Sequence, residues 1–200
     1  MTDLFDQIIF TIRSQDLLEY TGLIFGILYV LLAANNKIYC WYFGIISCFA
    51  IAIKDFFSYL LYLDGLLQIF YIAMGIAGLY LWKFGRASRI ERKISKWNHR
   101  RHLPYLIGIL LISFVLGYFF DNYSEASFPY LDALTTLMSI YATFLLIYRV
   151  LDNWILWIFA DLMYVYLYFV REAYFFSLLM VIYTIIAFVG LVKWKKLYLS

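Results

Sequence analysis

Trp154, Trp157 and Asp161 fall at i, i+3 and i+7 in the stretch DNWILWIFAD, Asp152 to Asp161. On a helix these positions share one face. Aromatic faces can sandwich a flat ring, and their quadrupole favours a cationic one. A carboxylate beside them complements a positive ring or accepts hydrogen bonds from sugar hydroxyls. Asn153 adds an amide able to read a carboxamide or a hydroxyl. Asp161 is flanked by apolar residues for about two turns on either side. A charge so placed is costly in a bilayer, which predicts a water-filled cavity or a ligand.

Other polar residues interrupt apolar runs in the same way. One run carries Asp132, Thr135, Thr136 and Ser139; another carries Asp64, Gln68 and Tyr71; a third carries Tyr183. Gln68 and Tyr71 lie on one helical face. Stripes on separate helices predict one cavity lined by all of them. The candidate substrate-binding set is Trp154, Trp157, Asp161, Asn153, Gln68, Tyr71, Thr135, Thr136, Trp41 and Tyr183.

The elements that must hold these residues are membrane helices. Of 200 residues, 66% are hydrophobic, 22% aromatic and only 14% charged. The mean hydropathy is +0.82. Soluble domains sit near half apolar and a quarter charged. Seven apolar segments run at 17–35, 38–54, 57–82, 103–120, 131–148, 152–170 and 173–194. Their lengths suit a hydrocarbon core of about 30 Å, and the unbroken runs exclude a barrel. The start, MTDLFDQIIFTIRSQD, is acidic and does not read as a signal peptide. It reads as an interfacial lead-in over 1–16 that offers Leu4, Phe5, Ile8, Ile9 and Ile12 to the membrane surface.

Charge sets the expected orientation. Residues 83–101 hold eight of the sixteen lysines and arginines, among them Arg86, Arg89 and Arg92. This loop is expected to be cytoplasmic. The acidic loop with Asp121 and Glu125 and the N-terminus then fall outside, and the tail with Lys195 and Lys196 inside. The basic loop is explained by this rule and by anionic lipid, so no nucleic-acid partner is expected.

The chain also repeats. Glu19 and Trp41 are 22 positions apart, as are Asp132 and Trp154. After a one-residue gap, Leu67 matches Leu179, Tyr71 matches Tyr183, Gly78 matches Gly190 and Trp82 matches Trp194. The expected architecture is all-α with seven transmembrane helices in a 3+1+3 parallel repeat, the plan of SWEET-type transporters. The expected parts are the lead-in, a first three-helix repeat over 17–82, and a basic loop over 83–102. A linker helix and external loop over 103–130, a second repeat over 131–194 and a tail over 195–200 follow. Substrate is expected at the interface of the repeats.

Several residues carry plainer readings. Trp41, Trp82 and Trp194 lie near span ends, where indoles anchor at the interface. Thr135, Thr136 and Ser139 can bond back to their own helix. Gly22, Gly26, Gly75 and Gly78 suit close helix contacts. Cys40 and Cys48 are eight apart in one helix, about 12 Å, too far for a disulfide. His99 and His102 sit in the basic loop away from any carboxylate or cysteine cluster, so no metal is expected. No cofactor is expected either. The sequence lacks GxxxxGK[ST], HExxH and GxSxG, so nucleotide hydrolysis and these enzyme classes find no support.

The pattern WxxWxxxD after Asp-Asn resembles the signature of the PnuC family of bacterial vitamin transporters. DALTTLMSI at Asp132–Ile140 resembles the family's fifth membrane helix, and LYLDGLLQIFYIAMGIAGLYLW at Leu61–Trp82 its third. The likeness runs from Glu19 to Trp194. It implies uptake of a vitamin across the bacterial inner membrane, most often nicotinamide riboside, by facilitated diffusion with alternating access. Thiamine and riboflavin are the alternatives, and a non-transporting receptor is a more distant one. It further implies trapping of the substrate by a cytoplasmic kinase and a homotrimer. The family's binding residues carry over to Trp154, Trp157, Asp161, Asn153, Gln68, Tyr71, Thr135 and Thr136. One departure is AGLYLW, where many riboside carriers have YGWxxW, so that Ala77 and Leu79 replace aromatic residues.

Overall fold

The computed structural model describes residues 2–60, 62–85, 93–124 and 127–200. Arg86, Arg89, Arg92 and Glu125 lie outside the described residues, as does the side chain of Leu4.

Among the described residues eight helices run in order: α1 Thr2–Ser14, α2 Leu17–Ala34, α3 Cys40–Lys54, α4 Tyr62–Phe84, α5 His99–Tyr123, α6 Pro129–Ile147, α7 Asn153–Val170 and α8 Tyr174–Leu199. α3 continues through a wider helical turn over Asp55–Tyr59. Seven of the helices, α2 to α8, are long and apolar enough to cross a bilayer.

Six helices close a ring in which α2 packs on α3, α3 on α4, α4 on α6, α6 on α7, α7 on α8 and α8 on α2. α5 lies outside against α6, and α1 lies against α8. Large apolar side chains point outward, such as Leu110, Leu111 and Phe114 of α5 and Phe159 and Leu162 of α7. Small and hydroxylated ones are buried between the helices, among them Ala33, Ala34, Ser47, Ala142, Thr143 and Ala187. In lipid there is little hydrophobic gain between helices, so close backbone approach supplies the cohesion.

The helix ends show why the turns are tight. Asp16 caps α2, accepting from Glu19 N at 3.0 Å, while Glu19 Oε2 accepts from Asp16 N at 2.6 Å. This reciprocal pair satisfies two orphan donors. Lys54 of α3 reaches Asp16 Oδ2 at 2.8 Å. In the second half, Arg171 reaches Asp132 Oδ2 at 2.6 Å. α2 and α6 close alike. Asn36 (φ 53°) and Arg149 (φ 54°) take the left-handed conformation. The next amides reach back, Lys37 N to Leu32 O at 2.9 Å and Val150 N to Leu145 O at 2.8 Å. Such a cap satisfies the last carbonyls of a helix.

Four tryptophans are buried inside the protein, where the span-end reading of Trp41, Trp82 and Trp194 expects exposed anchors. Trp41, Trp82, Trp154 and Trp194 are all buried and form one cluster. Trp41 meets Trp82 edge-on at 5.4 Å and 89°, and Trp154 meets Trp194 at 5.6 Å and 82°. Glycine makes room for them. A Cβ on Gly78 would stand 2.5 Å from the Trp41 ring, and one on Gly190 2.7 Å from the Trp154 ring. The indoles sink inward because these glycines leave a flat seat for an aromatic face.

The end of the basic loop is also not free. Ser95 N donates to Arg149 O at 3.0 Å and Leu151 N to Ser95 O at 2.7 Å, pinning the loop to the α6–α7 turn. His102 belongs to the first turns of α5, and it does meet a carboxylate. Its Nδ1 is 2.8 Å from the Tyr141 hydroxyl and its Nε2 3.5 Å from Asp152 Oδ2. Asp152 also accepts from Trp97 N at 3.0 Å. Sequence spacing does not show this contact, because it is made between α5, α6 and the turn before α7. Among the described residues no cluster of His, Cys, Asp or Glu could hold a metal.

Candidate functional site

A cavity of about 170 Å³ lies between the two halves of the ring. α7 contributes Trp154, Trp157 and Asp161, and α8 contributes Tyr183. α2 supplies Tyr29 and Gly26, and α3 supplies Ser47. The i, i+3, i+7 spacing on α7 therefore does what helical geometry requires: all three side chains line one wall. Trp157 and Tyr183 are half-buried, and Asp161 is buried. Among the described residues no cation pairs with Asp161. An unpaired carboxylate in an apolar surround is costly unless a ligand or water compensates it.

Trp154 is 1% exposed, with Gly190 against its ring and Trp194 at its edge. Its indole N–H has no partner among the described residues. Ser47 donates to Gly22 O at 2.7 Å, which fixes its hydroxyl on the α2 side.

The remaining candidates sit elsewhere. Asn153 is fully buried, and its amide donates to Val150 O at 2.7 Å, bracing the start of α7. Thr135 donates to Leu131 O and Asp132 O of its own helix. Thr136 is half-buried on the next position of α6. Gln68 and Tyr71 are half-buried on α4. Tyr29 lies near both Tyr71 and Tyr183, so α4 approaches the cavity without lining it. Trp41 packs in the tryptophan cluster, beside Tyr29 at 6.1 Å. Tyr29 and Ser47 were not singled out by any spacing. Tyr29 is one of 20 tyrosines, and Ser47 faces Gly22 only once α2 and α3 are packed.

Among the described residues, a ring of six membrane-type helices around a small aromatic cavity, with a carboxylate that no cation pairs, is the architecture of an integral membrane transporter. Residues 16–196 match the profile of the nicotinamide mononucleotide transporter family, and the chain belongs to that family. It is 27% identical over 203 residues to the nicotinamide riboside transporter PnuC of Escherichia coli (strain K12). That match covers 88% of this chain and 84% of the relative. The likeness to the protein of the same name from Shigella flexneri has the same values. The PnuC of Neisseria mucosa is 24% identical over 161 residues, 78% of this chain and 61% of that one. The fold is that of the crystal structure of the vitamin B3 transporter PnuC, with a TM-score of 0.74 and 23% identity. The overlap covers 97% of this chain and 87% of that one. The chain is a multi-pass protein of the bacterial inner membrane and not an enzyme.

Proposed function

We propose that this chain carries nicotinamide riboside across the membrane by facilitated diffusion. The observation that carries the reading is the cavity that Trp154, Trp157, Asp161 and Tyr183 share. Trp157 stacks on the pyridinium ring, and Asp161 supplies the countercharge. The hydroxyls of Tyr183, Tyr29 and Ser47 serve the carboxamide and ribose. Trp154 forms the back wall, with its free N–H as a donor. Stacking contributes about 0.5–1.5 kcal/mol beyond burial. With several hydrogen bonds this suits micromolar affinity, about −8 kcal/mol. Asn153, Thr135, Thr136, Gln68, Tyr71 and Trp41 support the site from behind.

Ligand pockets usually span about 300–1,000 Å³. The smaller cavity here fits a closed state, and alternating access would widen it on either side. The equivalent contacts of the two halves support the 3+1+3 repeat over 17–82 and 131–194: the left-handed caps, the edge-on indoles and the seating glycines. The basic residues of 83–101 support a cytoplasmic loop, with the N-terminus outside and the C-terminus inside. A cytoplasmic kinase would trap the substrate, and a homotrimer is the proposed assembly.

The departure at AGLYLW bears on thiamine as the alternative. Ala77 is exposed and Leu79 packs against the tryptophan cluster, so neither lines the cavity. This favours the riboside. The test is a calorimetric titration of the purified protein with nicotinamide riboside, thiamine and riboflavin in parallel, followed by counterflow in proteoliposomes. Saturable binding and counterflow of the riboside are expected. Binding of thiamine or riboflavin alone would overturn the substrate, and binding without counterflow would make the protein a receptor.

A further inference from the structure

Gly26 of α2 lies against the hydroxyl of Tyr183 from α8. A Cβ on Gly26 would stand 2.7 Å from that hydroxyl oxygen and 3.2 Å from Ser47 Oγ. Close-packed interiors do not tolerate the first separation without movement. Ser47 has little freedom to retreat, since it donates to Gly22 O at 2.7 Å. Tyr183 would therefore have to yield. Gly26, Ser47 and Tyr183 all line the cavity. Gly22, one turn earlier, is about as crowded, with a Cβ position 2.8 Å from Ile51 Cγ1, but it does not line the cavity.

We infer that Gly26 is a positioning residue for substrate binding: its bare Cα seats the Tyr183 hydroxyl against α2 and so sets the width of the cavity between α2 and α8. A methyl there pushes the phenol ring into the space the substrate needs. This inference rests on the cavity being the binding site.

The test titrates nicotinamide riboside into the parent, Gly26→Ala, Tyr183→Phe, the Gly26→Ala/Tyr183→Phe double variant and Gly22→Ala, each checked for monodispersity. Gly26→Ala is expected to bind about tenfold or more weakly. Gly22→Ala is expected to bind as the parent does, because its methyl crowds the Ile51 side chain outside the cavity and stands at an ordinary 3.8 Å from Ser47 O. The double variant is expected to match Tyr183→Phe alone, because removing the hydroxyl vacates the place the methyl needs. The inference is overturned if Gly26→Ala binds like the parent, if Gly22→Ala costs as much, or if the methyl costs the same beside Phe. Where Gly26→Ala alone does not fold, the comparison of the double variant with Tyr183→Phe decides. If Trp157→Ala and Asp161→Asn also bind like the parent, the cavity is not the binding site and the functional reading itself fails. If those two weaken binding and Gly26→Ala does not, only the role of Gly26 falls.

Discussion

The indole N–H of Trp194, near the end of α8, donates to the carbonyl of Ala33 at the end of α2, at 3.0 Å. Its counterpart Trp82 of α4 donates to Ile147 O at the end of α6, also at 3.0 Å. Each half of the ring thus hands one indole N–H to the other half. Both acceptors lie in the last turn of a helix, where carbonyls lack the regular helical donor, and Ala33 O accepts from Asn36 N as well, at 2.9 Å. The two bonds lock the halves together at the end where the tryptophans cluster.

Trp194→Phe removes one donor to the Ala33 carbonyl, which keeps the Asn36 amide at 2.9 Å. Losing one such bond costs about 0.5–1.5 kcal/mol, whereas leaving a buried carbonyl unsatisfied costs about 1–3 kcal/mol. Denaturation in mixed micelles should show the smaller loss for Trp194→Phe and the larger for Trp82→Phe, which takes the indole donor from Ile147 O. An unchanged midpoint in both would mean the bonds do not hold the halves.

Gly78 and Gly190 seat the Trp41 and Trp154 rings, with Cβ positions 2.5 and 2.7 Å from ring atoms. Alanine at either position overpacks a rigid contact, at a cost of about 1–3 kcal/mol. Gly108 of α5 has nothing within 4 Å of its Cβ position, and alanine there should be neutral. Thermal melting in detergent of the three variants checks this, with similar losses for the first two expected from their equivalent places in the halves.

Trp157→Ala should weaken riboside binding about tenfold or more, with Trp157→Phe between it and the parent. Calorimetry reads the effect. Parent-like binding by Trp157→Ala would remove the stacking role assigned to this ring.

Asp161→Asn keeps the shape of the wall and removes its charge. A hydrogen bond to a charged group is worth about 1.5–3 kcal/mol, so binding of the cationic riboside should fall about tenfold or more. The neutral dihydro form of the same nucleoside should bind the variant and the parent alike. Equal losses for both forms would show that Asp161 does not act through its charge.

The Asp16 carboxyl is held below its ordinary value of 3.8 by the Lys54 ammonium and by the Glu19 amide. A lowered value in the folded chain means that this cap contributes stability above the unfolded value. The contribution is lost as pH falls through the lowered one. Between about pH 6 and about pH 3, the melting temperature of the parent should therefore fall more steeply than that of Asp16→Asn. Parallel curves would show that the carboxylate does not hold α2 to α3.

The spans are legible in the amino-acid order alone, because bilayer thickness fixes the length of an apolar helix. That order also determined that Trp154, Trp157 and Asp161 share a face, because helical periodicity follows from the backbone alone. The matching spacings of the Trp and Gly positions were legible. Their meaning was not, since an indole near a span end reads equally as an interface anchor, and only the seats at Gly78 and Gly190 draw it inward. The tertiary structure alone decided which residues face Trp157 across the cavity. Tyr29, Ser47 and Gly26 reach it from α2 and α3, more than 100 positions away. No local period carries that information, because helix-to-helix approach depends on how small residues from distant segments mesh. The same reason separates His102 from its sequence reading: its contacts with Tyr141 and Asp152 exist only once α5 lies against α6 and the α7 turn.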